Sequence, residues 1–182
     1  MRDGRAGWAY TAREDVRRRV GPLCAEECGP VILAQDDDAE YIGAQKATNN
    51  TGELTAVYYA LARGARTARA GTGVRILSDS KLATYTPLHY TGRWRARRNK
   101  ALVAVNKAAY EALRRWGVHV SFEHVRAHTG HAMNERADAL AKLGAHGARW
   151  GRGRDWREEE VPMTLILIGR VCSSPPAAGS SM

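Results

Sequence analysis

The chain reads as an α/β protein: a mixed sheet, antiparallel strands followed by parallel ones, with flanking helices. Three observations predict this. From residue 50 to 147, short apolar runs bounded by turn residues alternate with amphipathic segments, as strands and helices in succession do. The first 45 residues instead hold several short strand candidates separated by turns, the arrangement of antiparallel pairs. A length of 182 residues suffices for one domain with a buried core.

Taken in order, Trp8 to Thr11 and Val31 to Ala34 read as short strands. Between them Arg13 to Glu27 is charged and interrupted by Gly21-Pro22, which predicts a loop or insertion. Asp36-Asp37-Asp38 reads as a turn before a third strand, Tyr41 to Gln45. Leu54, Val57, Tyr58 and Leu61 fall at i, i+3, i+4 and i+7, one stripe of a helix ending near Gly64. Val74 to Ser78 follows as a buried strand, and Lys81 to Tyr85 as a brief helix stopped by Pro87. Leu102, Val105, Ala109, Leu113 and Trp116 repeat at helical spacing up to Gly117. Val118, Val120 and Phe122 alternate as a half-buried strand, with His119 and Ser121 facing the other way. A last helix runs from Ala132 to about Ala145, packing Ala137, Leu140, Ala141 and Gly144. The domain is therefore expected over 1–147, best defined over 41–147. Beyond it the composition turns to Gly, Arg and Trp, then acidic, then Ser, Pro and Ala. Residues 148–182 are expected to be a disordered basic, low-complexity tail, with Val161 to Val171 its one stretch suited to packing on the domain.

Charge narrows the partners. Lys and Arg number 28 against 19 Asp and Glu, a net charge of +9 that favours phosphate-rich partners or anionic membranes. Arg-rich coding bias raises the same count, so charge alone is not specific. Three cysteines make no even disulfide framework and suit a reducing compartment. Cys24 and Cys28, four apart, are placed to share a helix face, but a metal site there lacks a second ligand pair, so they read as reduced thiols. Met1 to Tyr10 has no apolar signal-peptide core, and Met163 to Ile168 is too short to span a bilayer. The expectation is a soluble, intracellular, monomeric domain with no membrane partner.

Three segments carry chemistry: Thr48-Asn49-Asn50-Thr51-Gly52-Glu53-Leu54, then Ile76-Leu77-Ser78-Asp79-Ser80, then His128-Thr129-Gly130-His131 through Asn134-Glu135-Arg136-Ala137-Asp138. Each delivers one carboxylate at the edge of a regular element: a first helical turn, a strand end, and a helix after a histidine-bearing loop. Hydrolysis of a phosphodiester needs an activated water and a stabilised leaving oxygen, and two metal ions about 3.5–4 Å apart supply both. Mg²⁺ prefers carboxylate oxygens and water, so Glu53, Asp79 and Asp138 form a suitable cradle if they converge. Singly, each has a plainer use. Glu53 complements a helix dipole, Asp79 caps the helix opening at Ser80, and Asp138 pairs with Lys142 one turn on.

His128 and His131 lie in a loop able to approach substrate, where a histidine shuttles protons or helps product leave. A zinc site from His124, His128 and His131 is less favoured, because His124 falls within a strand on the face of Val120 and Phe122. Asn49 and Asn50 serve either as caps or as donors to phosphate, base and sugar edges. Arg93-Trp94-Arg95-Ala96-Arg97-Arg98-Asn99-Lys100 interleaves cations with an indole, as nucleic-acid grooves do; a solvated basic loop with Trp94 tucked inward is the alternative.

With these segments in this order, the chain resembles the type 1 ribonuclease H family, including domains encoded by retroelements. The family pattern is a Thr-Asn-Asn-x-x-Glu helix start, a Ser-Asp-Ser strand end and a Lys-Gly-His-x-Gly-His-x-x-Asn-Glu-x-x-Asp segment, matched here by Thr48 to Glu53, Leu77 to Ser80 and Arg126-Ala127-His128 through Asp138. The likeness covers about Gly4 to Gly147. It implies a five-stranded mixed sheet with flanking helices and cleavage of the RNA strand of an RNA–DNA hybrid with Mg²⁺ or Mn²⁺. By matching position it implies Glu53, Asp79 and Asp138 as metal-binding catalytic acids and His128 as an accessory histidine. Asn49 and Asn50 would contact the hybrid, whose 2′-hydroxyls mark the RNA strand. Arg93, Trp94, Arg95, Arg97 and Arg98 remain the basic loop's candidates for nucleic-acid contact. One departure matters. The family carries a fourth acid, in an Asp-Gly-Ser turn ending its first strand, about a dozen residues before a strand start matched here by Arg5-Ala6-Gly7-Trp8-Ala9. The domain is thus expected to be N-terminally incomplete, lacking that strand and its acid. The rival function is a catalytically inactive nucleic-acid-binding module or retroelement-derived fragment. An integrase-like DNA transferase is weaker, because His-x-Gly-His is not its signature.

Overall fold

The computed structural model describes residues 5–16, 19–36, 38–84, 98–126, 132–153 and 163–169. Its first elements are β1 (Gly7–Val16) and β2 (Arg19–Pro30), which pair antiparallel. Arg13 to Glu27, expected as a loop or insertion, is therefore mostly strand. The register shifts between Ala12 and Arg13 and again between Arg13 and Asp15, opposite Gly21-Pro22, where a bulge tolerates a residue without an N–H. Cys24 and Cys28 accordingly sit on a strand rather than a helix. Both are free and buried. Burial pushes the Cys24 thiol up to about 11 and raises that of Cys28, which keeps both protonated.

The expected third strand, Tyr41 to Gln45, does not form; a single bridge joins Leu33 to Ala44. Gly43 at φ +103° breaks the extended path, and a Cβ there would lie 2.6 Å from the Leu102 backbone nitrogen. Helix α1 (Asn49–Thr67) begins at a capping box between Thr48 and Thr51 and runs past Gly64. That glycine marks close packing instead of a stop, since a Cβ would stand 3.0 Å from Val74 Cγ2. Strand β3 (Gly73–Ser78) and a helical stretch at 81–84 follow. Helix α2 (Lys100–Arg115) buries Leu102, Val103, Asn106, Tyr110 and Leu113. Trp116, expected on its packed stripe, is 57 % exposed. Asn106 displaces that stripe, because its amide donates to the carbonyls of Leu54 (3.0 Å) and Leu102 (2.9 Å) and so faces α1. Strand β4 (His119–His124) and helix α3 (Ala132–Ala145) complete the predicted order, and Ala137, Leu140, Ala141 and Gly144 are buried as expected.

Two further strands lie beyond residue 147. Strand β5 (Trp150–Gly153) pairs with β2, and β6 (Met163–Gly169) lies between β1, antiparallel, and β3, parallel. The sheet order is β4-β3-β6-β1-β2-β5. The segment read as a tail thus supplies two strands, one of them central. A strand covered on both faces is a short apolar run without alternation, and Met163 to Ile168 gives no periodicity to read.

Helices cover both faces. Trp8, Tyr10 and Ala12 of β1 join α1 in the main core, while Ala9 meets Leu140 and Ala141 of α3, as strand alternation dictates. The α3 face is pinned by charge as well. Arg136 donates through Nε and Nη2 to both oxygens of the buried Glu26, each at 3.0 Å, and stands 5.9 Å from the Trp150 ring centre. Arg136→Ala leaves the Glu26 carboxylate buried without its fork. Urea unfolding is expected to show a loss of about 2 kcal/mol; a midpoint matching the parent protein would contradict this.

Candidate functional site

Parallel pairing sets the site's location. Ser78 is level with His124 of β4 and with Ile168 of β6, so the carboxyl ends of three strands share one edge. In such sheets ligands bind at that edge. Asp79 is the first residue beyond β3 and is buried, 8 % exposed. Neither of its carboxylate oxygens has a hydrogen-bond partner among the described residues. The cap expected of Asp79 is supplied by Ser80, whose Oγ accepts from the Ala83 nitrogen at 3.1 Å.

Ser80 also reaches α1, donating its hydroxyl to Glu53 Oε2. Glu53 is 4 % exposed and lies one turn deeper than expected: Thr48 is the cap, and the first turn holds no acid. It therefore points inward from the second turn, where dipole compensation is weaker. Ser80, the residue after Asp79, thus ties Glu53 to the end of β3. His124 adds a second tie, its Nε2 standing 3.1 Å from the Asp79 carbonyl. From sequence, Ser80 reads only as part of the strand-end segment, and His124 is weighed as a zinc ligand and set aside. A serine following the acid at a strand end is the signal that could have marked the first; His124 has none beyond its register. Ser80→Ala removes a cap and the hydroxyl that orients Glu53, and activity is expected to fall 10–100-fold. A variant retaining full turnover would exclude that role.

The third acid is less close. Met133 of α3 packs with Leu77 and Val125, which brings the start of α3 to the same edge. Asp138 lies about a turn further along, half-buried, on the helix that covers the sheet face opposite α1. Among the described residues no group of three His, Cys, Asp or Glu is placed to hold a metal ion. Glu53 and Asp79 are brought together; Asp138 is not grouped with them. Asn134, in the first turn of α3, is 2 % exposed, and its Oδ1 has no partner among the described residues.

Asn49 and Asn50 are the first helical residues and do not cap. Asn50 is exposed, and the Oδ1 of Asn49 is buried without a partner among the described residues. Arg98 is exposed just before Asn99, which is left-handed (φ 52°) and exchanges two hydrogen bonds with Gln45: its nitrogen donates to Gln45 Oε1 and its Oδ1 accepts from the Gln45 nitrogen. His128, His131, Arg93, Trp94, Arg95 and Arg97 lie outside the described residues. No helix among the described residues is long and apolar enough to cross a membrane.

Carboxylates at a sheet edge, two oxygens without donors among the described residues, and a net positive chain suit a hard cation and a phosphate ester. Comparison with known proteins agrees. A family model described as RNase H matches residues 4–146. A protein named ribonuclease H from Anaeromyxobacter dehalogenans (strain 2CP-C) is 33% identical over 144 residues, 76% of this chain and 74% of that protein. One from Pelobacter propionicus is 31% identical over 120 residues, covering 63% and 71%. A third, from Cupriavidus necator, is 32% identical over 125 residues, covering 64% and 81%.

Proposed function

The chain belongs to the RNase H family, and on that premise we propose that it hydrolyses the RNA strand of RNA–DNA hybrids with Mg²⁺ or Mn²⁺ held by Glu53, Asp79 and Asp138. The observation that carries this reading is Asp79, whose two buried oxygens lack any donor among the described residues. An ionised carboxylate in that state is costly and is tolerated where a cation completes it. Magnesium keeps several waters and takes one or two protein carboxylates together with substrate phosphates, so Glu53 and Asp79 fit it, and Asp138 would join from α3.

Held by these acids, a divalent ion would lower the pKa of a bound water and offset charge on the leaving oxygen. The chain's own residues prepare the site. Ser80 orients the Glu53 carboxylate by donating to its Oε2. The His124 ring steadies the Asp79 main chain. Asn50, exposed on the helix that carries Glu53, is placed to read 2′-hydroxyls, with Asn49 behind it. Arg98, with Arg93, Trp94, Arg95 and Arg97, would follow the phosphate backbone. His128 would carry a proton as product leaves.

One observation favours the alternative, an inactive binding module: no carboxylate occurs in Met163–Gly169, the strand flanking Asp79. A labelled hybrid incubated with the full chain and Mg²⁺ separates the two. Cutting confined to the RNA strand and abolished by EDTA is expected. Tight hybrid binding without any cutting would establish the alternative.

A further inference from the structure

The opposite edge of the sheet carries a second concentration of charge that the acids do not explain. Here α1 ends and β3 begins, through Arg66, Arg69 and Thr72, and α2 turns into β4 through Arg114, Arg115, Trp116 and Gly117. Hydrogen bonds join the two connections: the Gly71 nitrogen donates to the Gly117 carbonyl at 3.0 Å, and the His119 nitrogen to the Thr72 carbonyl at 2.9 Å. Leu113 packs beneath them, 3.6 Å from where a Gly64 Cβ would stand. Arg66, Arg69, Arg114 and Arg115 are all exposed. Arg66 stands 3.6 Å from Glu27, and the Arg114 guanidinium lies 5.8 Å from the Tyr110 ring centre. Trp116 directly follows Arg114 and Arg115 in the chain and is 57 % exposed. Its backbone is fixed as the α2 cap by bonds to the Ala112 and Leu113 carbonyls, so the indole is presented from a firm turn.

Cations at helix ends complement the dipole, but a dipole asks for no exposed indole. An aromatic face set among guanidiniums is how proteins hold unpaired nucleic-acid strands, bases on the ring and phosphates on the cations. We propose that the edge where β3 and β4 begin is a second nucleic-acid contact, in which Trp116 stacks an unpaired base and Arg114 and Arg115 hold phosphates. The six residues of β3, at about 3.3 Å each, put it roughly 20 Å from Asp79. It is independent of the cleavage reading, because an unpaired DNA strand carries no bond that a ribonuclease cuts.

The test is anisotropy of a short labelled thymidine strand with the full chain. Trp116→Ala is expected to weaken binding about tenfold, and Trp116→Phe to restore most of it. Replacing Arg114 and Arg115 by Ser should lower the slope of log K against log salt by about 1.4, whereas Lys142→Ser, on α3, should leave affinity within about twofold. Each position is exposed, and circular dichroism checks that the fold is kept. Trp116→Ala binding like the parent, or Lys142→Ser weakening it as much, overturns the proposal. So does preference of the same residues for anionic lipid vesicles over the strand. Loss of strand binding in a protein that cuts no hybrid would keep this surface and remove only the cleavage reading.

Discussion

Asp79→Asn should abolish hybrid cleavage, about 10³-fold or more, while leaving the protein as stable as before or more so. The two effects part because of what surrounds the side chain. Both carboxylate oxygens are buried and lack a donor among the described residues, so the native protein tolerates a desolvation cost that neutral asparagine, of nearly the same shape, carries to a smaller extent. What asparagine cannot do is neutralise a cation, and losing several kcal/mol of charge stabilisation corresponds to that rate loss. Calorimetry gives a second reading. Mg²⁺ at about a hundred times its dissociation constant stabilises the site it binds by about 2.7 kcal/mol, roughly 5–10 °C for a chain of this size. The parent should show that rise and Asp79→Asn should not. Cleavage surviving in the variant, or an equal Mg²⁺ shift in both proteins, would end the assignment.

The largest structural effect is expected at Gly7. A Cβ added there would stand 2.0 Å from the Ala141 carbonyl oxygen and 2.3 Å from the Ala145 nitrogen. The obstacle is backbone, which cannot rotate away as a side chain would. On the partner helix, a Cβ at Gly144 would come within 2.3 Å of the Gly29 carbonyl oxygen. Helix α3 thus lies against the hairpin with no room for one methyl at either point. Gly7→Ala must lift α3, opening the cluster of Ala9, Cys28, Leu140 and Ala141 and straining the Glu26–Arg136 pair. Overpacking costs about 1–3 kcal/mol where side chains yield; here about 4 kcal/mol is expected, a fall in Tm of about 10 °C. A melting curve within two or three degrees of the parent's would refute the packing described.

Helices α2 and α3 were legible because their burial is one-sided, so apolar residues recur at the helical period. Helix α1 showed the same apolar stripe although its first turns are buried all round, and strand β3, buried at every residue but Arg75, was legible as a short aliphatic run. The hairpin was misread because Glu26 and Glu27 look like solvated charge, whereas Glu26 is buried under Arg136. Strand β6 was missed because its run, apolar but for Thr164, shows no period to read, and pairing to β1 and β3 is a tertiary fact. In the site, Glu53 and Asp79 were readable from their neighbours in the chain. Their joining through Ser80 was not, since it depends on how α1 lies over the end of β3.

Strand β6 also dictates the order of assembly. Among the described residues, β1 and β3 are joined through β6, which follows the other described strands in the chain. Until it arrives, the hairpin and the β3–β4 pair are two half-sheets with bare rims, open to neighbouring chains. Closure between such distant partners is slow. Maturation is therefore a zippering event at the middle of the sheet, with dilute conditions favouring the productive route.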